Sequence, residues 1–162
     1  MSKGLVISSN KGRRYEYAPN EQITFMLSGA DTFGQLDLAE NEFGYLGGLP
    51  IHIHLQQDEI HYILKGQLRY QIGEETFETK SGDCVYIPKG TPHAWINLQQ
   101  ETARIIAILT PGGSEGFFQT MSSLPAEKTD SQSLAKLAED YGTEIVGPPL
   151  AVSLGLLENN LH

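Results

Sequence analysis

"HIHLQQDEIHYILKG", residues 52–66, carries three of the chain's five histidines, with Asp58 and Glu59 between them. His52 and His54 stand two residues apart in the alternating stretch "PIHIHL", so on a strand both imidazoles point to one face. The polar run "LQQD" follows. If it reverses the chain, Glu59 returns close to the two histidines on the next strand, with His61 on the same face as Glu59. Taken alone the pattern also fits a polar strand pair facing solvent, because a single His-x-His is a weak sign of ligation.

A second stretch, "GDCVYIPKGTPHAWIN" at 82–97, changes the balance. Pro88, Gly90 and Pro92 force a tight, rigid bend just before His93. A backbone fixed so firmly suits an imidazole that has to meet a preset point. Three imidazoles and one carboxylate suit a divalent first-row metal and leave positions open for substrate or oxygen.

These two stretches resemble the paired motifs of the cupin superfamily. His52, His54, Glu59 and Gly66 match the first motif, and Gly82, Pro88, Gly90, His93 and Asn97 match the second. The chain departs from the family at one place: Leu46 stands where the leading glycine of the first motif is usual, and Gly47 and Gly48 follow it. Asp58 competes with Glu59 for the ligand role, but the spacing to Gly66 and the alternation of residues 58–64 favour Glu59. The resemblance implies a jelly-roll fold in which His52, His54, Glu59 and His93 hold one divalent transition metal: Fe, Mn, Ni, Co, Cu or Zn. It also implies a homodimer.

Two later segments, "TPGGSEGFF" and "YGTEIVGPPL", are similar to single-domain bacterial cupins related to quercetin (flavonol) dioxygenases. That likeness implies a metal-dependent enzyme that uses O2 to open an aromatic hydroxyketone, with Glu59 as the catalytic base. Two other classes stay open on the same scaffold. An isomerase or decarboxylase needs a cation for an anionic substrate, and Arg69 and Arg104 are the residues to inspect. A binding module that senses a small molecule or metal without catalysis is the other.

Outward from the motifs, residues 5–109 read as short strands punctuated by Gly, Pro, Asn and Asp, the pattern of an all-β sandwich or barrel. "EIHYILKGQLRYQIG" reads as a tight hairpin about Lys65-Gly66. "ARIIAILT" is the most continuously apolar run and reads as a strand buried on both faces. Then "SEGFFQTMSS", capped near Ser114, and "SLAKLAEDYG", with Leu134, Leu137, Ala138 and Tyr141 at helical spacing, read as a short helical appendage. "EIVGPPLAVSL" reads as an extended tail. The whole is expected to be one domain over 1–162, with a metal-binding core at 47–110 and a C-terminal helix and tail at 114–162.

Side chains outside the motifs receive blander readings. His61 is either an interior hydrogen-bonded histidine or a contact to substrate, and His162 is solvated. Cys84 is a small core residue. Tyr62, Tyr70, Phe25, Phe33, Trp95, Phe117 and Phe118 are candidates to line a planar pocket, most of them ordinary core.

The bulk composition restricts partners. A formal net charge of −9 over 162 residues argues against nucleic acid and against anionic membranes, both of which need clustered Lys and Arg. One cysteine excludes an internal disulfide and a cysteine-based zinc site. No apolar run approaches a membrane span, and the N-terminal residues lack a secretory apolar core. A cytoplasmic protein with a small-molecule partner is the expectation.

Overall fold

The computed structural model describes residues 4–125 and 130–158, so His162 lies outside the described residues. Two antiparallel sheets face each other as a jelly-roll sandwich. The first runs β1 (Arg13–Ala18), β2 (Glu21–Leu27), β3 (Asp37–Phe43), β10 (Ala103–Thr110), β5 (Asp58–Lys65) and β8 (Cys84–Ile87). The second runs β11 (Thr143–Pro149), β4 (Pro50–His54), β9 (His93–Ile96), β6 (Gln67–Ile72) and β7 (Glu75–Lys80). The described residues also form three helices: α1 (Glu115–Ser123), α2 (Ser131–Asp140) and the short α3 (Leu150–Ser153). Among the described residues no helix is long and apolar enough to cross a membrane.

Period-two alternation sets what faces the interior. On β3 the inward residues are Asp37, Ala39, Asn41 and Phe43; on β10 they are Ala103, Ile105, Ala107 and Leu109. Register stacks them into rows: Leu109 lies between Asp37 and Glu59, Ala107 between Ala39 and His61, and Ile105 between Asn41 and Ile63. One end of the sandwich is filled by Phe43, Ile63, Leu68, Tyr70, Trp95 and Ile105, all essentially inaccessible to water. Burying each of the Phe, Ile and Leu side chains contributes roughly 1.5–3 kcal/mol. The other end carries the polar cluster described below.

Four sequence expectations need correction. Lys65-Gly66 does not close a hairpin, because β5 and β6 belong to different sheets and the chain crosses the sandwich there. Gly66 does take positive φ, +84°, at that crossing. β10 lies between β3 and β5, but its outward residues Arg104, Ile106 and Ile108 are only partly buried, so the strand is covered on one face. Cys84 is exposed, because it starts an edge strand whose inward residues are Val85 and Ile87. The C-terminal tail is not wholly extended: β11 pairs with β4, and α3 follows, burying Leu150 and Ala151 against Ala94 and Ile96.

α1 and α2 cover one end of the sandwich. Phe118 and Met121 of α1 pack against Ile23, Phe25 and Ala39. Ser114 precedes α1 but makes no capping bond; its hydroxyl donates instead to Asp37 at 2.7 Å. Asp37 is fully buried and also accepts from the backbone N–H groups of Gly29, Gly113 and Ser114, at 2.7–2.9 Å. One carboxylate thereby fixes where α1 begins. α2 carries its cap in Asp130, which accepts from the Ser133 N–H, and ends at Tyr141 and Gly142, the latter with φ +71°.

Candidate metal centre

His52 and His54 extend inward from β4, and His93 from β9, directly across from His52 in the pairing. Glu59 comes from β5 in the facing sheet. One ligand atom from each of the four lies within 4.8 Å of the others, and all four side chains are buried. The polar run after His54 therefore does not fold Glu59 back alongside the histidines. It carries the chain to the opposite sheet, so the carboxylate closes the cluster from across the cavity.

Each histidine is held by its outer nitrogen. Nδ1 of His52 donates to the Pro50 carbonyl at 2.8 Å, and Nδ1 of His93 to the Thr91 carbonyl at 2.9 Å. A carbonyl can only accept, so Nδ1 carries the proton in both rings. His54 Nδ1 bonds the hydroxyl of Thr143 on β11 at 3.0 Å. The inward Nε2 atoms of His52 and His93 are then lone pairs whenever those rings are neutral. Glu59 Oε2 sits 2.9 Å from His93 Nε2 and 3.4 Å from His54 Nε2. Lone pairs facing a carboxylate at this distance repel unless a cation stands among them. The donor set fits a divalent metal, with outer partners of the kind that orient metal-bound histidines.

The electrostatics agree. Burial would push the Glu59 carboxyl up, but His61, His54 and His93 outweigh it and hold the group well below its ordinary range. Burial lowers His52, reinforced by His93 and His54, so that ring stays neutral. Burial also acts to lower His93, but its bond to Glu59 and that carboxylate's charge raise it instead. An ionised carboxylate facing imidazoles is the state that a metal needs.

His61 proves to be interior and hydrogen-bonded. Its Nε2 donates to Glu59 Oε1 at 2.8 Å, and its Nδ1 accepts from the Tyr70 hydroxyl at 2.9 Å. It leaves Oε2 of Glu59 directed at the other three histidines. Asp58 turns away and accepts from the Lys89 N–H at 2.9 Å. The sequence offered no sign of Thr143, 89 residues from His54, or of Tyr70 as the anchor of His61.

The cluster opens into an apolar cavity of about 70 Å³ between the sheets. That is room for on the order of five waters, the size of a small ring system. Leu49, Leu109 and Ile145 line its walls, and Phe117, Phe118 and Tyr141 from the helical end cover it. Phe117 meets Tyr141 edge-on at 6.2 Å. Of the other candidate aromatics, Phe25, Tyr70 and Trp95 are core, while Tyr62 and Phe33 are exposed. Among the described residues no lysine or arginine borders the cavity. Arg69 pairs with Glu78 at 2.5 Å, and Arg104 bonds Glu40 through Nε at 2.8 Å, outside the sandwich.

Comparison with known proteins matches residues 46–109 to the cupin domain family. A quercetin 2,3-dioxygenase of Bacillus subtilis is 27% identical over 107 residues, covering 66% of this chain and 31% of that protein. An uncharacterised protein of Methanocaldococcus jannaschii is 38% identical over 61 residues, 38% of this chain and 49% of that one. The chain thus spans about half or less of the length of these relatives. Among solved structures, KdgF from Halomonas sp. superposes with a TM-score of 0.62 at 18% identity, covering 70% of this chain and 99% of that one.

Proposed function

We propose that this chain, a member of the cupin superfamily, is a metal-dependent dioxygenase acting on a flavonol-like or other aromatic hydroxyketone. The observation that carries the reading is the combination of a closed His52–His54–Glu59–His93 cluster with an apolar cavity that no lysine or arginine among the described residues borders. The likeness to a quercetin dioxygenase over two thirds of this chain points the same way. The isomerase or decarboxylase reading needs a counter-charge for its substrate, and neither Arg69 nor Arg104 supplies one.

A divalent metal held by these four residues would supply Lewis acidity toward a substrate hydroxyl and a path for electrons to O2. The chain's own residues do the rest. Glu59 Oε2 accepts the hydroxyl proton of the substrate, since it is ionised, buried and faces the cavity. His61, anchored by Tyr70, holds Oε1 so that the carboxylate keeps its orientation as the proton arrives. Thr143 and the carbonyls of Pro50 and Thr91 hold the three imidazoles. Leu49, Leu109 and Phe118 keep water from the electron-rich enolate that results.

The same reading takes the chain as one working domain, with the core at 47–110 and the helical segment from 114 as its cover. It places the protein in the cytoplasm, in keeping with a lone, free Cys84. It includes a homodimer, supported by Tyr62, Leu64 and Tyr86, which stand exposed on β5 and β8.

Oxygen uptake on adding quercetin, measured after loading with Fe, Mn, Ni or Co in turn, tests the activity. Uptake matched by loss of flavonol and abolished in Glu59→Ala is the expected result. No uptake with any metal contradicts it and moves the binding-module reading ahead.

A further inference from the structure

Asn41 is a carboxamide among hydrocarbons. It faces inward from β3 with Ile23 on one side and Ile105 on the other, and with Ala39 and Phe43 as its inward neighbours along the strand. Only 6% of it is exposed, and its side chain makes no hydrogen bond to any described residue. It borders the same cavity as His52, His54 and Glu59. Two other polar groups of the sheet wall are engaged, the Thr143 hydroxyl with His54 and Ser114 with Asp37, and Tyr141 stands at the helical cover. Asn41 thus offers a free donor and a free acceptor from the sheet wall of a mostly apolar space.

Its position fits a second contact to a bound molecule. Glu59 shares a row with Leu109 and Asp37, whereas Asn41 lies four residues along β3 from Asp37. At about 3.3 Å per residue the two rows are ~13 Å apart along the strands. A ring system that meets the metal cluster through one oxygen therefore extends toward Asn41 with its other end.

We propose that Asn41 orients the ligand, hydrogen-bonding an uncharged oxygen at the end of the molecule remote from the metal cluster. The ligand class follows: a neutral, planar, mostly apolar ring compound with oxygens at opposite ends. Phosphorylated or carboxylated compounds are disfavoured, since no lysine or arginine among the described residues lines the wall. This inference rests on the cavity's being the substrate site, and it does not depend on the reaction with O2.

The test uses zinc-loaded protein kept free of oxygen, and two probes: a naphthol, and a naphthalenediol with its hydroxyls at opposite ends. Binding is read from the fluorescence of Trp95, the chain's only tryptophan. In the wild type the second hydroxyl is expected to tighten binding about tenfold, the effect of one hydrogen bond. Asn41→Leu is expected to remove that gain, leave the naphthol unaffected, and melt no lower than the wild type. An amide needed for the fold would instead lower the melting temperature. If Asn41→Leu fails to fold, Asn41→Asp decides. Read at a pH high enough to ionise it against the effect of burial, its carboxylate only accepts, so the diol keeps its gain, while a hydroxynaphthaldehyde, whose carbonyl needs a donor, loses it. Equal binding of the two naphthalenes in the wild type, binding of neither, or a gain that survives Asn41→Leu overturns the proposal. Oxygen uptake enters nowhere, so failure of the dioxygenase reading is seen separately.

Discussion

The imidazole of His54 is held at Nδ1 by the hydroxyl of Thr143, 3.0 Å away and 89 residues later in the chain. This bond ties the strand that carries two of the candidate ligands to β11, beyond the family-matched region. The C-terminal segment is thus part of the site as well as its cover. Thr143→Val should leave the fold intact and weaken metal affinity 10–100-fold, whereas Thr143→Ser should retain it. Competition with a chromogenic chelator reads both; equal affinity in Thr143→Val would show that the hydroxyl does not position His54.

Gly48 presses on the main chain of β9. A methyl group there would stand 1.9 Å from the Trp95 carbonyl oxygen. Gly48→Ala should therefore destabilise by about 1–3 kcal/mol or more. Gly4, with nothing within 4 Å, serves as the control position. Urea unfolding of both alanine variants makes the comparison, and equal midpoints would contradict the packing described.

Glu21 supplies a pH dependence away from the cluster. Burial pushes its carboxyl up to about 7, against 4.5 in the unfolded chain, despite offsetting contacts from the Gly48 backbone and Tyr17. A native pKa above the unfolded value favours folding while the group is protonated. That contribution is full below 4.5 and is lost as pH rises through about 7. Glu21→Gln should therefore be more stable than the wild type near pH 8, by up to about 3 kcal/mol. The two should converge near pH 4. Unfolding free energies across this range decide it, and a difference that does not vary with pH would count against the assignment.

Asp37 gathers three backbone N–H groups and the Ser114 hydroxyl. Asp37→Ala leaves those donors buried without a partner and should cost about 3 kcal/mol or more. Protease cleavage near residues 112–116 should then speed up before the sandwich itself unfolds. Unchanged cleavage would show that α1 is held in place by its apolar face alone.

Much of the site was legible in the sequence because its ligands sit in two short segments with fixed spacing. His52 and His54 share a face by strand alternation alone, and the bend at Pro88–Pro92 announces His93. What the sequence hid were contacts between sheets. Lys65-Gly66 reads as a hairpin because adjacent strands with so short a connection usually pair, whereas here the chain changes sheet. Cys84 reads as core because its strand is apolar, yet period-two alternation turns every second residue of β8 outward. Asn41 did leave a trace: it occupies the inward phase of "DLAENEF" between Ala39 and Phe43, where an apolar residue is the rule. The glycine missing at position 46 is explained by the backbone. Leu46 itself adopts φ +63°, and its N–H reaches the Asn97 carbonyl at 2.7 Å.

The central claim is that four side chains from two sheets share one metal, and metal stoichiometry tests it most directly. Protein loaded with Ni or Mn and cleared of free ions should retain one equivalent per chain, and the folded His54→Ala variant essentially none. A wild type that retains no metal, or a His54→Ala variant that keeps a full equivalent, would contradict the account.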